Sequence, residues 1–548
     1  MSLQPQLAYV IPDETRRVAQ AAFPKGALCL RLVEVLGQLY RDDQFAALFP
    51  TRGQPAASPA RLALVLVLQY VEGLSDRQAA DAVRGRIDWK YALGLELTDP
   101  GFDHTVLSEF RARLLSKDAE RLLLDTLLER LRTLGLIKQR GKQRTDSTYV
   151  LAAVRRLNRL ERVGETMRAA LNELAVVAPE WLRKLAPPQW YERYAKRVEN
   201  YALPKSDAAR QELASVIASD GEKLLGAIDA ATDQPLLAQV AAVLTLRRLW
   251  DEQYTGTPGK LRWREVKEMP SPAGLLSSPY DTEARYSTKR EVNWVGYKVH
   301  LTETCDEQQP HLIVNVETTP ATTPDDNMLE QVHDSLKVRD FLPAEHLVDK
   351  GYTDAHVLVD SQRQHGVTIV GPVAADPSWQ ARSGGFDKGS FIVDWDHQVV
   401  TCPAGKQSIS WLPNTYTQNG VVFEARFARK DCGPCSHRAC CTKAKQEPRL
   451  IGLQLREYHE ALHVARQRQK TEEFRSQYAA RAGIEGTHEQ AIRRCGLRQC
   501  RYIGQAKTHL QHVLTATAIN LVRLNDWWTA KPHAQTRVSH FGGLAQAA

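Results

Sequence analysis

Three acidic residues, far apart in the chain, stand in settings that suit chemistry at a phosphodiester. Asp349 closes a short, largely apolar run, Glu345-His346-Leu347-Val348, and is followed by Lys350-Gly351-Tyr352. In open α/β sheets, functional groups gather at the C-terminal ends of strands. Holding two Mg2+ ions takes several converging carboxylates, because hard cations prefer oxygen ligands. Asp146, in Arg144-Thr145-Asp146-Ser147-Thr148-Tyr149, and Glu485, in Tyr478-Ala479-Ala480-Arg481-Ala482-Gly483-Ile484-Glu485, are the candidates to join Asp349. On a helix, Tyr478 and Arg481 precede Glu485 by seven and four residues, so all three project from one face. Such a face suits a metal-bound phosphodiester, with the Glu on metal and the Arg and Tyr on phosphate oxygens. The same spacing also describes an ordinary intrahelical ion pair, and an Asp at a strand end also serves as a helix cap.

A second constellation is built from thiols. Cys402 is followed by Cys432-Gly433-Pro434-Cys435 and by the adjacent pair Cys440-Cys441. A Cys-x-x-Cys knuckle with further thiols suits tetrahedral Zn2+, held by Cys402, Cys432, Cys435 and either Cys440 or Cys441. His437 is a further choice, and a reduced cluster without metal fits the same residues. Between 426 and 445 six basic residues face only Asp431, and Arg493, Arg494, Arg498, Arg501 and Lys507 follow Glu489 with no acid among them. One-sided charge beside candidate metal ligands is where a nucleic-acid backbone would lie.

The elements that position these groups follow from periodicity and punctuation. Ser58-Pro59 starts a helix through Leu68, and Ser75 caps another over Asp76 to Val83, with Leu74, Ala79, Ala80 and Val83 as its apolar stripe. The pair fits a helix-turn-helix or a plain bundle. A helix over Val106 to Leu115 carries Arg111 and Arg113, and Glu120 to Leu136 has leucines at helical spacing. From Val150 through Leu174 apolar residues again recur at helical steps, with Arg155, Arg156, Arg159 and Arg162 alongside as a solvated face or a phosphate contact. Near Ser277 the pattern changes. Strands over 296–302 and 311–317 form a hairpin, a helix over 325–336 is capped by Asp325 or Asp326, a strand ends at Asp349, a helix covers 354–364, and a strand covers 367–371. That succession predicts an α/β core with mixed pairing. The tryptophans at 379, 395 and 411 suit core packing or stacking on a flipped base. Residues 455–528 read as helical and the last 20 as a tail.

Taken together, these motifs resemble the bacterial insertion-sequence transposases with a ribonuclease-H-like DDE core. In that family the first acid occurs in an Asp-Ser-Thr setting, matched by Asp146. The second follows a strand and precedes Gly-Tyr, matched by Asp349, Gly351 and Tyr352. The third sits in a Tyr-x-x-Arg-x-x-x-Glu signature, matched by Tyr478, Arg481 and Glu485. The signature normally ends in a basic residue seven positions after the Glu. Here Ile492 stands there, and Arg493 and Arg494 follow it. The signature also prefers Glu485 to Glu489, one turn later. Lys142-Gln143-Arg144-Thr145 is not apolar, so periodicity alone does not select Asp146.

The resemblance implies the following organisation. An all-helical DNA-recognition domain spans 1–138, and the first core strand spans 139–154. A helical insertion covers 155–275 and the core resumes over 276–374. A cysteine-containing β/loop insertion covers 375–465, C-terminal catalytic helices 466–530, and a tail 531–548. It also implies two Mg2+ ions, with Mn2+ as a substitute, held by Asp146, Asp349 and Glu485. Tyr478, Arg481, Arg493 and Arg494 would position phosphate. The implied partners are double-stranded transposon ends and target DNA, with a homodimer at synapsis, in the bacterial cytoplasm beside the nucleoid. A catalytically inactive or repurposed DNA-binding descendant, and a zinc-stabilised nuclease without strand transfer, share most of these features.

Composition bounds the reading without naming it. The excess of 72 basic over 64 acidic side chains permits a nucleic-acid partner. The longest apolar stretch, 62–68, is far short of the roughly 20 residues that span a bilayer. The N-terminus has no basic-then-apolar export signal, and an odd nine cysteines argue against a disulfide scaffold.

Overall fold

A computed structural model describes residues 2–5, 9–289, 291–414 and 422–531, with Phe541 and Leu544. The predicted tail therefore lies almost entirely outside the described residues. At the centre runs β1, Lys142–Leu151. Five strands join it: β2 (Arg285–Lys289), β3 (Val292–Thr304), β4 (Ile313–Pro320), β5 (Glu345–Val348) and β6 (Thr368–Val370). On one side β3 lies antiparallel to β1, with Leu301 opposite Asp146, and β4 is antiparallel to β3. On the other side β5 is parallel to β1 and β6 parallel to β5. The order is β4-β3-β1-β5-β6, and β2 forms a hairpin with the first residues of β3. The expected α/β core with mixed pairing is present. β2 had no signature in the sequence.

β1 is buried yet polar, because each polar side chain in its first half has a partner inside the protein. Gln143 Nε2 donates to the Phe341 carbonyl at 2.7 Å, and Arg144 pairs with Glu303 at 2.6 Å. Thr145 Oγ1 bonds Thr302 Oγ1 and His346 Nε2, each at 2.7 Å. Burial of polar groups is tolerated when nearly all of them are bonded, and among these three side chains Gln143 Oε1 alone has no hydrogen-bond partner.

Asp146 lies mid-strand, and β1 continues five residues beyond it to Leu151. Two expectations need correction. The run from Val150 to Leu174 is accordingly not one helix. Val150 belongs to β1, and the helix is Arg159–Val177, entered by a capping box of Asn158 and Glu161. Two of its arginines are engaged within the insertion and a third against the core. Arg155 pairs with Glu161 and Glu199 at 2.9 and 2.8 Å, Arg159 donates to Gln253 at 2.6 Å, and Arg156 lies over Tyr286. Finally, Asp325 caps nothing; it accepts instead from Lys298 Nζ at 3.0 Å.

The N-terminal helices form as their caps dictate. Ser58 Oγ accepts from the Arg61 amide at the start of Pro59–Glu72, which ends at left-handed Gly73. Ser75 and Gln78 form a capping box on Asp76–Gly85. These helices share a single apolar core with the sheet and with the long helix Gln505–Trp528, which is buried along most of its length although Thr508, Gln511, His512, Thr515, Thr517 and Asn520 are polar. Arg111, on the helix Thr105–Leu115, is buried against Asp76 at 2.6 Å. The helical insertion has its own core. The cysteine-containing segment is a small β module, with strands Ser410–Asn414, Val422–Arg426 and Leu450–Leu453 in one sheet and Ile392–Asp394 with Val399–Thr401 in another. Trp395 and Trp411 meet edge-on at 5.4 Å within it, in keeping with the packing reading, while Lys443 lies over Trp379.

Candidate active site

Each predicted acid arrives on a different element. Asp146 points from the middle of β1, Asp349 follows the last residue of β5, and Glu485 lies in the first turn of the helix Gly483–Cys495. All three meet one guanidinium. Arg481 Nη2 donates to Asp146 Oδ2 at 2.6 Å and lies 3.9 Å from Asp349 Oδ2, while Nη1 donates to Glu485 Oε1 at 3.2 Å. Glu489 faces elsewhere and pairs with Arg493. The two rival glutamates thus have different partners, in agreement with the signature's preference for Glu485.

The acids differ in environment. The Asp146 side chain is 12% exposed, that of Asp349 35% and that of Glu485 68%. Burial raises the Asp146 pKa to about 6; Arg481 and the Ser147 amide oppose that rise and the neighbouring Asp349 adds to it. A buried carboxylate beside a second carboxylate, with only one strong cation on it, is short of positive charge. Gly351 and Tyr352 show why a Gly-Tyr pair follows the second acid. The Gly351 amide donates to Asp349 Oδ1, and a Cβ there would stand only 2.9 Å from that oxygen. Tyr352 is fully buried and bonds His300 Nδ1 at 2.7 Å, which pins the turn to β3.

A buried network, not apparent from the sequence, fixes these elements relative to one another. Glu303 of β3 is fully buried and accepts from Arg144 Nε at 2.7 Å, Arg523 Nη1 at 2.6 Å and Thr487 Oγ1 at 2.6 Å. Arg144 lies two residues before Asp146, and Thr487 two after Glu485. Arg144 also donates to the Ala480 carbonyl, beside Arg481. Gly483 lies so close that a Cβ would stand 2.2 Å from Arg144 Nη1. Here the helical run changes character. Tyr478 lies on Glu472–Ala479, Arg481 on a 3-10 turn Ala480–Ala482, and Glu485 on the next helix. The expectation of a single regular helix is corrected to this extent, although Arg481 and Glu485 still meet.

The remaining predicted residues are placed as follows. Tyr478 stacks on Phe474 with ring centroids 5.5 Å apart, and burial raises its phenol pKa, so the hydroxyl keeps its proton as a donor. Arg493 is exposed and paired with Glu489, while Arg494 Nε donates to the Val71 carbonyl at 2.8 Å. Neither touches the acids. A lysine not singled out by sequence stands closer: Lys289, at the tip of the β2–β3 hairpin, lies 3.8 Å from Asp325 and within electrostatic reach of Asp146. Its only sequence signal was position on a strand pair. Among the described residues, no three His, Cys, Asp or Glu side chains already stand in metal-holding positions. Arg481 is what gathers the three carboxylates.

A mixed α/β protein that draws acids from separate elements to the centre of its sheet is of the kind that handles phosphodiesters. Comparison with known families carries this further. Residues 17–113 match a transposase domain (DUF772) and residues 401–525 match a transposase DDE domain. Both matches support an insertion-sequence transposase of the DDE type. The second match contains Tyr478, Arg481, Glu485 and the cysteines; Asp146 and Asp349 lie between the two matched spans. No curated protein matches the chain. Among the described residues no helix is long and apolar enough to cross a membrane.

Proposed function

We propose that this transposase cleaves DNA at the ends of its element and joins them to target DNA, with Asp146, Asp349 and Glu485 as its metal-binding triad. The single observation that carries the reading is the meeting of these three acids, from three elements, on one guanidinium. The strand order β4-β3-β1-β5-β6, antiparallel on one side of β1 and parallel on the other, supports a ribonuclease-H-like core.

The donor set fits a hard divalent ion: oxygen ligands only, with excess negative charge at Asp146 and Asp349. Bound there, Mg2+, or Mn2+ in its place, supplies Lewis acidity toward phosphate oxygens and lowers the pKa of an attacking water or 3′-hydroxyl. The protein's own groups do the rest. Arg481 keeps like charges together before DNA arrives, and its planar fork then suits a phosphate oxygen pair. Tyr478 donates its phenolic proton to a neighbouring phosphate oxygen. Lys289, on an exposed hairpin tip, meets the DNA backbone. Arg493 also meets the backbone, whereas Arg494 holds its helix to the N-terminal helices. Two ends brought together imply a homodimer at synapsis, and a DNA substrate places the enzyme at the bacterial nucleoid.

The assay is direct. Purified protein, labelled DNA carrying the element's terminal repeats, Mg2+ and a target plasmid should yield joined products. Cleavage without joining would make the protein a nuclease, and binding alone would make it a DNA-binding descendant. Either result overturns the proposal.

The environment of Asp146 sets a pH dependence. Its raised pKa means that the fold favours the neutral acid below about pH 6, where it cannot ligate a cation. Cleavage at fixed, subsaturating Mg2+ should therefore fall about tenfold for each unit below pH 6. Raising the Mg2+ concentration should move that limb to lower pH, since metal and proton compete for one oxygen. A rate that stays flat between pH 5 and 8 contradicts the assignment of Asp146.

A further inference from the structure

The cysteine-containing module holds a second constellation that the catalytic reading does not use. Cys402, Cys432, Cys435 and Cys441 line one cavity, together with His437 and the aromatic rings of Phe386, Phe391 and Phe427. Sequence spacing leaves Cys440 and Cys441 equivalent; the fold does not. The Cys440 carbonyl accepts from the Phe386 amide at 3.0 Å and the Cys441 carbonyl from Gln380 Nε2 at 3.0 Å. So anchored, the short helix Arg438–Cys441 leaves Cys440 exposed and places Cys441 in the cavity wall. Adjacent residues on a helix point about 100° apart, so only one of the two can face inward.

The loop at Cys402 is shaped around its sulfur. Cys402 N donates to the Lys406 carbonyl at 2.8 Å and Gly405 N to the Cys402 carbonyl at 2.8 Å, with Gly405 left-handed at φ 74°. This turn aims the Lys406 amide at Cys402 Sγ, at 3.4 Å. An N–H aimed at sulfur is an outer-shell contact of the kind that orients a metal ligand. Lys406, Arg438 and Arg449, set against Asp431, also line the cavity. Their net charge of +2 offsets the −2 charge of a four-thiolate zinc centre.

The module also lacks another staple. Its core consists of six buried apolar residues, Phe391, Val400, Ala425, Phe427, Ile451 and Leu453. Cores this small depend on a metal or a cross-link for independent stability. All its cysteines are free thiols.

We propose that Cys402, Cys432, Cys435 and Cys441 hold one structural Zn2+, with Cys440 outside the ligand set. The sulfurs are not yet at metal-holding distances. Closure brings the four sulfurs together, and coordination releases the thiol protons to solvent. A closed set of four protein ligands leaves no open position, so the ion stabilises the module and does no chemistry. This inference is independent of the catalytic triad; protein inactive on DNA would still bind zinc.

The experiment uses the full chain, purified reduced and without chelator. Metal analysis should find one zinc per chain, and Co2+ in its place should give the thiolate-to-metal charge-transfer absorption of a four-sulfur tetrahedral site. C441S should drop the content to about none, while C440S keeps it. Should C441S fail to fold, alkylation of the native wild type answers the same question. Peptide mapping should show Cys440 labelled with or without zinc, and Cys402, Cys432, Cys435 and Cys441 labelled only after chelation. Wild-type protein without zinc and without the Co2+ absorption, a Cys432–Cys435 disulfide in the native chain, or zinc protection of Cys440 in place of Cys441 each overturns the proposal.

Discussion

Asp349→Asn should leave a protein that folds and binds transposon ends but cuts them about 10³-fold more slowly, or worse, a loss of about 4 kcal/mol in transition-state stabilisation. Asn has nearly the shape of Asp, and its carbonyl oxygen can still accept the Gly351 amide that Asp349 now accepts. Packing changes little, because the side chain is 35% exposed and its other neighbour is Arg481 at 3.9 Å. What is lost is one anionic oxygen ligand. Asp349 is a cleaner probe than Asp146, whose buried side chain accepts from both Ser147 and Arg481, so that its replacement disturbs the strand as well. End cleavage on a sequencing gel at saturating Mg2+, alongside a mobility-shift titration, makes the comparison. Cleavage within a few-fold of wild type would remove Asp349 from the metal site and end the triad reading.

The largest effect on stability should come from Glu303. With no exposed surface it is shared by Arg144, Arg523 and Thr487, and these tie β1, β3 and the last two helices together. Truncation to Ala leaves two guanidinium groups facing each other in a dry interior, at a cost of about 3–5 kcal/mol. Glu303→Gln keeps the shape and one acceptor and should cost less. The pKa of Glu303 is lowered to about 2, chiefly because Arg523 and Arg144 overcome the opposing effect of burial. A depressed folded value means that the unfolded chain binds the extra proton. The stabilisation is therefore complete above the ordinary glutamate range, near pH 4.3, and is lost as pH falls toward 2. Urea denaturation of wild type and Glu303→Gln, followed by tryptophan fluorescence, should show a gap at pH 7 that closes toward pH 3. An equal gap at both values would mean that the lost shape, not the charge, sets the cost. Because Arg144 lies two residues from Asp146 and also holds the Ala480 carbonyl, cleavage by Glu303→Gln should fall even where the protein is fully folded.

What could be read in advance depended on how local the physics was. Ser58-Pro59 and Ser75 announced helix starts because a cap is a bond between neighbours in the chain. Asp349 was legible because an apolar run before an acid is visible in one dimension. Asp146 was not legible by the same rule. Its strand is polar, with Arg144 and Thr145 matched by Glu303, Thr302 and His346 from far along the chain. Periodicity registers an apolar interior, and β1 lies in a polar one. The arginines over 155–162 looked free for phosphate for a related reason: Glu199 and Gln253, which engage two of them, are 44 and 94 residues away.

The candidate site divides along the same line. Residue types and spacing were enough to nominate Asp146, Asp349, Tyr478, Arg481 and Glu485, through their resemblance to a known pattern, and to nominate four sulfurs from five. Between Glu485 and Glu489 the signature already preferred the first, and the contact of Glu485 with Arg481 agrees with it. Cys440 and Cys441 are identical in chemistry and adjacent in the chain, so a linear reading has nothing to weigh there, and only the fold turns one of them toward the cavity. The distinction arises from direction. Glu485 turns toward the Arg481 that β1 also engages, and Cys441 toward a wall built from residues 386–449. Local sequence specifies which groups are available. Packing between distant segments specifies where they point, because only there does a side chain meet a partner of the right charge at the right distance.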